Sequence, residues 1–162
     1  MRGEASGEFP LNSVHRQAKL RFFAAADQIP ALPGAYLLLI DIAAPMTIAR
    51  PEYATLSAGR YLYAGSAYGP GGLRARISRH MRRSKPCRWH IDQITAVADI
   101  LGAFVLPNGN ECELVARHPR LPAPIAGFGS SDCRRCRSHL LGPAAPPSKH
   151  GSVIRCDRPS LI

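Results

Sequence analysis

The alternation of apolar and polar residues along the chain predicts a small sheet with helices packed on it. A nearly continuous apolar run over residues 35–42 has the length of a strand and no polar face, which indicates a central strand buried on both sides. Two further strands are predicted over residues 60–65 and 100–106. We therefore expect an α/β fold, more narrowly α+β, with a central antiparallel or mixed sheet of about three strands.

Apolar positions at helical spacing predict four helices. The first covers residues 14–27 and ends before two prolines, which cannot continue a helix. Two more are predicted over residues 73–83 and 90–97, between the second and third strands, and a fourth begins near Asn110. The order of elements is that of a sheet flanked by helices.

The length of 162 residues suits one domain with short ends. We expect a flexible N-terminus over residues 1–14, a folded domain over 15–141 and a disordered, proline-rich tail over 142–162. No apolar run approaches the ~20 residues needed to cross a bilayer, and no secretory signal is seen. Five cysteines, an odd number, fit a reduced cytoplasmic protein better than a disulfide scaffold.

The charge of the chain predicts a polyanionic partner. There are 21 Lys and Arg against 11 Asp and Glu, for a formal net charge of +10. Nucleic acid is favoured over anionic lipid because no basic amphipathic helix stands isolated, but charge does not separate DNA from RNA. No acid occurs over residues 53–91, where a phosphate-binding surface competes with a solvated helix face as the interpretation of the basic residues Arg74, Arg79, Arg82, Arg83, Lys85 and Arg88.

Tyrosines occur at related places on the first two predicted strands, in Gly34-Ala35-Tyr36 and in Tyr63-Ala64-Gly65. Taken alone, this arrangement is typical of ordinary sheet packing. The helix that follows carries Arg76 and His80, which lie on one face because they are four residues apart. We expect this pair at the rim of the packed face, within reach of a pocket.

The succession of these motifs resembles the GIY-YIG nuclease superfamily. The matching segments are Gly34-Ala35-Tyr36, Tyr63-Ala64-Gly65-Ser66-Ala67, Arg76-Ile77-Ser78-Arg79-His80 and Glu111-Cys112-Glu113-Leu114-Val115. Two more segments are similar to signatures of one poorly characterised branch, in which some members are fused to the base-excision enzyme endonuclease III: Trp89-His90-Ile91-Asp92 and Gly127-Phe128-Gly129-Ser130-Ser131-Asp132-Cys133. The resemblance spans residues 33–141.

The chain departs from the family pattern in two places. Both middle isoleucines of the family name are alanine here, which shrinks a packing contact and leaves the reactive groups intact. Tyr36 and Tyr63 are 63 − 36 = 27 residues apart, so an insertion lies between their strands. Such an insertion is expected within the branch, and its structure over residues 44–58 is not predicted.

The resemblance implies a metal-dependent DNA endonuclease of GIY-YIG fold. In that family the residues matching Tyr36, Arg76 and Glu111 act as general base, phosphate stabiliser and ligand of one Mg²⁺ or Mn²⁺ ion. Tyr63 is expected to orient water or phosphate, and His80 to assist in proton handling or phosphate contact. Because a phenol with an ordinary pKa of ~10 is a poor base, we expect the positive charges of Arg76 and the metal to lower the pKa of Tyr36.

Two glutamates compete for the role of metal ligand. Asn110 follows a turn and is a plausible N-cap, so Glu113 falls where a capping-box partner belongs. This leaves Glu111 as the ligand, and its spacing to the following Leu-Val pair fits the family better. Its alternative role is that of an ordinary first-turn acid. The residues expected to bind substrate are Arg74, Arg79, Arg83, Arg88 and His90.

The segment Trp89-His90-Ile91-Asp92 has two interpretations. In the first, Trp89 is a buried anchor, Asp92 an early-turn acid and His90 a hydrogen-bonded neighbour. In the second, which the branch resemblance suggests, His90 and Asp92 lie at the rim of the active site. The sequence does not separate the two.

Cys133, Cys136 and His139 have the spacing C-x-x-C-x-x-H, which offers three zinc ligands. Zinc requires four, and the fourth is left open among Cys112, Cys87 and His90. Half-buried thiols without a metal are favoured over a zinc site. Asp132 or His139 could instead face the catalytic pocket.

Two functions follow from these patterns. The first is a DNA endonuclease, acting in repair, with DNA and a repair or targeting protein as partners and no membrane association. The targeting protein is expected because the sequence shows no targeting domain of its own. The alternative is a nucleic-acid-binding module that has the fold, cuts nothing and carries a structural zinc ion.

Overall fold

A computed structural model describes residues 19–144 of the chain. Its strands are β1 (Arg21–Phe23), β2 (Gly34–Ile42), β3 (Met46–Ile48), β4 (Ala54–Leu56), β5 (Gly59–Ser66), β6 (Asp99–Pro107) and β7 (Leu140–Leu141). Its α-helices are α1 (Gly72–Met81), α2 (Asp92–Thr95) and α3 (Glu111–Ala116). The predictions for residues 1–14, and for the tail beyond residue 144, lie outside the described residues.

The main sheet has five strands in the order β1-β6-β2-β5-β7, and every pair is antiparallel. The predicted α+β class is thereby confirmed, with the three predicted strands β2, β5 and β6 at the centre of the sheet. β2 is the middle strand, and most of its residues are buried, as its continuous apolar run requires.

The predicted helix over residues 14–27 is wrong in its described part. Residues 21–23 form the edge strand β1, and residues 26–28 form a single 3-10 turn. β1 pairs with β6, and the ring of Phe22 packs on that of Phe104 with centroids 4.9 Å apart. Pairing with a distant strand therefore outweighs the local helical pattern.

The insertion between the two tyrosine strands forms a small hairpin of β3 and β4. Its apolar residues Ile48 and Leu56 are buried in the main core. The side chain of Gln93 accepts the N–H groups of Ala49 and Arg50 and donates to the carbonyl of Arg50. The hairpin is thus fixed to α2, at the side of the sheet.

Helices cover both faces of the sheet. The side chains of β2 alternate between the two faces, so each face presents apolar residues that a helix can bury. Tyr36, Leu38 and Ile40 belong to the larger core cluster, which includes α1 and α2. Leu37 packs on the other face with Leu114 of α3. Of the helix predicted over residues 90–97, only the four residues of α2 are α-helical. No helix among residues 19–144 is long and apolar enough to cross a membrane.

Candidate active site

A cleft of about 580 Å³ opens where β2 begins and β5 ends. The five side chains predicted to be catalytic all line it: Tyr36, Tyr63, Arg76, His80 and Glu111. They come from two strands and two helices, and the helices lie on opposite faces of the sheet. The structure thus brings together groups that are separated by up to 75 residues (111 − 36) in the sequence. Their catalytic roles remain predictions.

Tyr36 and His80 form a buried hydrogen-bonded pair. The Tyr36 hydroxyl lies 2.7 Å from Nε2 of His80, and both side chains are almost completely excluded from solvent. Burial lowers the pKa of His80 to about 3, and the cations Arg76 and Lys85 act in the same direction. The imidazole is therefore neutral at neutral pH. Its Nδ1 has no hydrogen-bond partner among the described residues.

Arg76 alone does not produce the lowering of the Tyr36 pKa that was expected from Arg76 and a metal ion together. Burial raises the pKa of Tyr36 well above its ordinary value, and the nearby Tyr63 adds to the rise. Arg76 acts in the predicted direction, but its effect is smaller than that of burial. The Tyr36 phenol is therefore protonated at neutral pH.

Two glycines make room for the tyrosine rings. Gly65 lies directly opposite Tyr36 on the neighbouring strand, and a Cβ atom there would overlap the Tyr36 hydroxyl and ring. Gly129 has a positive φ of 68°, and a Cβ atom there would lie 2.7 Å from the ring of Tyr63. Both motif glycines thus shape the wall of the cleft.

Tyr63 is held by aromatic neighbours. Its ring packs edge-on against Phe128, with centroids 6.2 Å apart, and is also close to His80. Burial raises the pKa of Tyr63, and the negative charges of Asp92 and Glu111 contribute. Its hydroxyl therefore stays protonated at neutral pH and is a hydrogen-bond donor in the same cleft as Glu111.

Trp89 is a site residue that the sequence interpretation as a buried anchor missed. It is 36% exposed and lines the cleft. The guanidinium carbon of Arg76 lies 4.4 Å from its ring centroid, and that of Arg79 lies 4.0 Å away. Arg79 is neutralised by Asp92 at 2.8 Å. Arg76 has no acidic partner within salt-bridge distance among the described residues, so its charge is directed at the cleft uncompensated.

The structure distinguishes the two candidate glutamates. The Asn110 side chain caps α3 by accepting the N–H of Cys112 at 2.8 Å, as the sequence predicts. Glu111, the first residue of the helix, lines the cleft, and Glu113 does not. No capping-box bond from Glu113 back to Asn110 is seen in the described part of the chain.

The five residues expected to bind substrate do not line the cleft: Arg74, Arg79, Arg83, Arg88 and His90. Three of the arginines are engaged within the protein, Arg74 with the carbonyl of Ile29, Arg79 with Asp92, and Arg83 with Asp99 and a carbonyl. Arg134, Arg135 and Asp132 line the cleft instead. Asp132 and His139, either of which the sequence allowed to face the pocket, both line it. The two arginines belong to no motif that singles them out.

His90 and Asp92 hold the neighbouring loops in place. Nδ1 of His90 accepts the N–H of Gly129 at 3.1 Å. Asp92 is buried and accepts the N–H groups of Arg88 and Trp89 as well as the Arg79 guanidinium. Burial alone would raise the pKa of the Asp92 carboxyl, but these hydrogen bonds lower it to about 2. Asp92 thus fixes the segment that carries Trp89.

A group of side chains able to hold a metal ion forms part of the cleft wall. Cys112, Cys133, Cys136 and His139 each offer one ligand atom, and these four atoms lie within 4.8 Å of one another. The sequence left three candidates for the fourth ligand, and among them only Cys112 lies in this group. Cys87 is exposed near Arg50, and His90 is bound to Gly129. No cysteine among the described residues forms a disulfide.

Comparison with protein-family models identifies a family that covers most of the chain. Residues 35–157 match the family described as Domain of unknown function DUF123. No curated protein and no solved structure is significantly similar to the chain.

Proposed function

The chain belongs to the family described as Domain of unknown function DUF123, and we propose that it is a metal-dependent endonuclease that hydrolyses phosphodiester bonds in DNA. One observation carries this proposal. The five side chains that the GIY-YIG resemblance singles out, Tyr36, Tyr63, Arg76, His80 and Glu111, all line one cleft. Titratable side chains that meet in one concave pocket are the arrangement expected of an active site.

The electrostatics of the cleft favour a phosphate ligand. The Arg76 guanidinium is held against Trp89 and has no acidic partner among the described residues. Arg134 and Arg135 add positive charge to the same wall. A phosphodiester bound there gains charge-assisted hydrogen bonds, and Arg76 would stabilise the additional negative charge of the transition state.

Glu111 fits Mg²⁺ or Mn²⁺. Both are hard cations that prefer carboxylate oxygens, and Mg²⁺ is commonly held by one or two carboxylates together with water and substrate phosphate. Glu111 lies at the open cleft, with Asp132 as a second acid on its wall. When bound, the ion would stabilise the leaving oxygen of the phosphodiester.

Tyr36 and His80 would move the proton of the attacking water. Because the pKa of Tyr36 is raised, its phenol keeps its own proton at neutral pH. Its oxygen can accept the proton of the water only while it gives that phenolic proton to His80. His80 is neutral and lies 2.7 Å away, so Nε2 would receive the Tyr36 proton. The negative phosphodiester beside the pair would favour the resulting imidazolium. Tyr63 keeps its own proton and would donate a hydrogen bond to the water or a phosphate oxygen.

The cleavage proposal is tested with a panel of duplex, single-stranded, flapped and branched DNA and of RNA, each with Mg²⁺ or Mn²⁺. We expect cleavage of DNA that depends on the divalent ion. Tyr36→Phe should lower the rate about 100-fold or more, because it removes the hydroxyl that contacts His80. Tyr61→Phe is the matched control, since the Tyr61 side chain is also buried but its hydroxyl contacts Ser57 outside the cleft. Equal rates for Tyr36→Phe and wild type would contradict the assignment.

The resemblance to a branch that includes fusions to endonuclease III supports a role in DNA repair. In that setting a repair or targeting protein would be a second partner beside DNA, and it would supply the substrate choice that a single small cleft cannot. Retention of such a protein by the chain in a DNA-dependent pull-down would support this part of the proposal.

A second candidate is a nucleic-acid-binding module that does not cut. The raised pKa of Tyr36 favours it, since the phenol is inactive as a base unless His80 relays its proton. Such a module would bind DNA or RNA with affinity that falls steeply with salt concentration. It would show no turnover with any divalent ion, which is the result that separates it from the nuclease.

A further inference from the structure

We propose that Cys112, Cys133, Cys136 and His139 bind a zinc ion, and that this ion clamps the start of α3 against the loop at 127–139. The four candidate ligand atoms lie within 4.8 Å of one another. The site is distinct from the hard-cation site proposed at Glu111, because thiolates and imidazole select zinc over Mg²⁺. The zinc proposal stands whether or not the protein cuts DNA.

The spacing of the sulfur atoms favours a metal over a disulfide. Sγ of Cys112 and Sγ of Cys133 are 3.4 Å apart. A disulfide requires about 2.05 Å. Two thiolates on a tetrahedral zinc ion, with Zn–S distances of about 2.3 Å, lie about 3.8 Å apart. The observed separation is much closer to the second value than to the first.

The turn between Cys133 and Cys136 has backbone N–H groups placed to stabilise a thiolate. The backbone N–H groups of Arg135 and Cys136 both point at Sγ of Cys133, at 3.4 and 3.3 Å. Such donors stabilise a metal-bound thiolate from outside the coordination shell. Three thiolates and one neutral imidazole around Zn²⁺ carry a net charge of −1, which the neighbouring Arg134 and Arg135 would balance.

The buried side chain of His139 is an independent indication of a bound metal ion. It is only 5% exposed, and its Nε2 has no hydrogen-bond partner among the described residues. Buried polar atoms ordinarily have a partner, and a metal ion in this cluster would give the ring one. The backbone of His139 is already fixed, since its N–H donates to Phe128 and its carbonyl accepts the N–H of Ala64, both at 2.9 Å.

The positions of the ligands explain what the ion would do. Cys112 follows Glu111 in the first turn of α3, whereas Cys133, Cys136 and His139 belong to the loop that brings Gly129 against Tyr63. A zinc ion would connect two cleft walls that lie 21 or more residues apart in the sequence (133 − 112). Cys112 is thus a positioning residue for Glu111.

The site is tested by metal analysis of full-length protein purified under reducing conditions. We expect about one zinc per chain, and fewer than ~0.2 would overturn the site. Cys133→Ser should lose the metal, whereas Cys87→Ser, which changes an exposed cysteine outside the cluster, should keep it. If Cys133→Ser does not fold, exchange of cobalt into the wild type decides the matter. Visible bands of tetrahedral cobalt with thiolate charge transfer support the site, and their absence overturns it.

The clamp is tested by amide hydrogen exchange with and without the metal. Removing zinc with a chelator should speed exchange over residues 111–116 and 127–139, and leave the central strand β2 protected. His139→Cys, which restores a fourth ligand as a thiolate, should keep both metal and protection, and His139→Ala should lose both. Stoichiometric zinc with unchanged exchange in α3 would overturn the clamp. None of these measurements uses nuclease activity.

Discussion

The hydroxyl of Tyr36 lies 2.7 Å from Nε2 of His80, in a place that solvent hardly reaches. This contact joins the central strand to α1. His80 is neutral because burial disfavours its cation, and Tyr36 is protonated because burial disfavours its anion. Both members of the pair are therefore uncharged at neutral pH.

Protein stability should depend on pH through His80. The unfolded chain binds a proton on this histidine near pH 6.5, whereas the folded protein does so only near pH 3. Below pH 6.5 the unfolded state therefore binds more protons, and the free energy of unfolding falls by up to about 1.4 kcal/mol per pH unit. Urea titrations at pH 7, 6 and 5 should show a smaller slope with pH for His80→Gln than for wild type. Equal slopes would mean that folding does not lower the pKa of His80.

Arg76, in the middle of α1, should matter far more than Arg82, which directly follows the helix. Arg76→Ala removes the uncompensated cation of the cleft, and we expect a loss of about 100-fold in kcat. Arg82→Ala removes an exposed charge outside the cleft, so it should mainly weaken binding at higher salt. Single-turnover cleavage at saturating DNA measures the difference. Similar losses in both variants would indicate nonspecific electrostatics.

Gly65 should be required for the placement of Tyr36. In Gly65→Ala the new methyl group overlaps the Tyr36 hydroxyl, so we expect loss of activity and of about 1–3 kcal/mol of stability. Gly127→Ala is the control, because its Cβ meets no atom within 4 Å although its φ is 73°. That variant should lose about 1 kcal/mol through backbone strain alone and remain active. An active Gly65→Ala enzyme would contradict the placement.

The ion pairs of Asp92 and Asp99 should contribute very differently to the free energy of unfolding. Asp92→Asn breaks a buried pair with Arg79 and disturbs two backbone hydrogen bonds, so we expect a loss of about 3 kcal/mol in the free energy of unfolding. Asp99→Asn breaks a pair whose side chains are 57% and 64% exposed, and its effect should stay within about 0.5 kcal/mol. Urea denaturation of both variants checks the contrast. Equal losses would show that Asp92 is not the anchor of its segment.

The sequence predicts the centre of the fold well, because the signals there are local. The apolar run of β2 and the Asn110 cap of α3 each depend on a few adjacent residues. β1 was not predicted, since it exists only through pairing with β6, about 80 residues away (Arg21 with Val105). Strands β3 and β4 have three residues each, which is too short to show the alternation of apolar and polar residues that predicts a strand.

The sequence predicts which of the proposed catalytic residues line the cleft, but neither the other residues of its wall nor the energetics of the site. A motif identifies Tyr36, but its pKa depends on burial, which only the fold determines. The same limit explains the arginines. Arg76 and Arg79 are equivalent in a charge count, but Asp92, which lies 13 residues beyond Arg79, neutralises only one of them.

The central claim is that Glu111 holds the divalent ion for cleavage, and a comparison of two glutamates tests it most directly. The initial rate of Mg²⁺-dependent DNA cleavage is measured for Glu111→Gln and for Glu113→Gln, which changes the same helix outside the cleft. We predict a loss of about 100-fold or more for Glu111→Gln and a rate close to that of wild type for Glu113→Gln. Full Mg²⁺-dependent activity in Glu111→Gln would contradict the account.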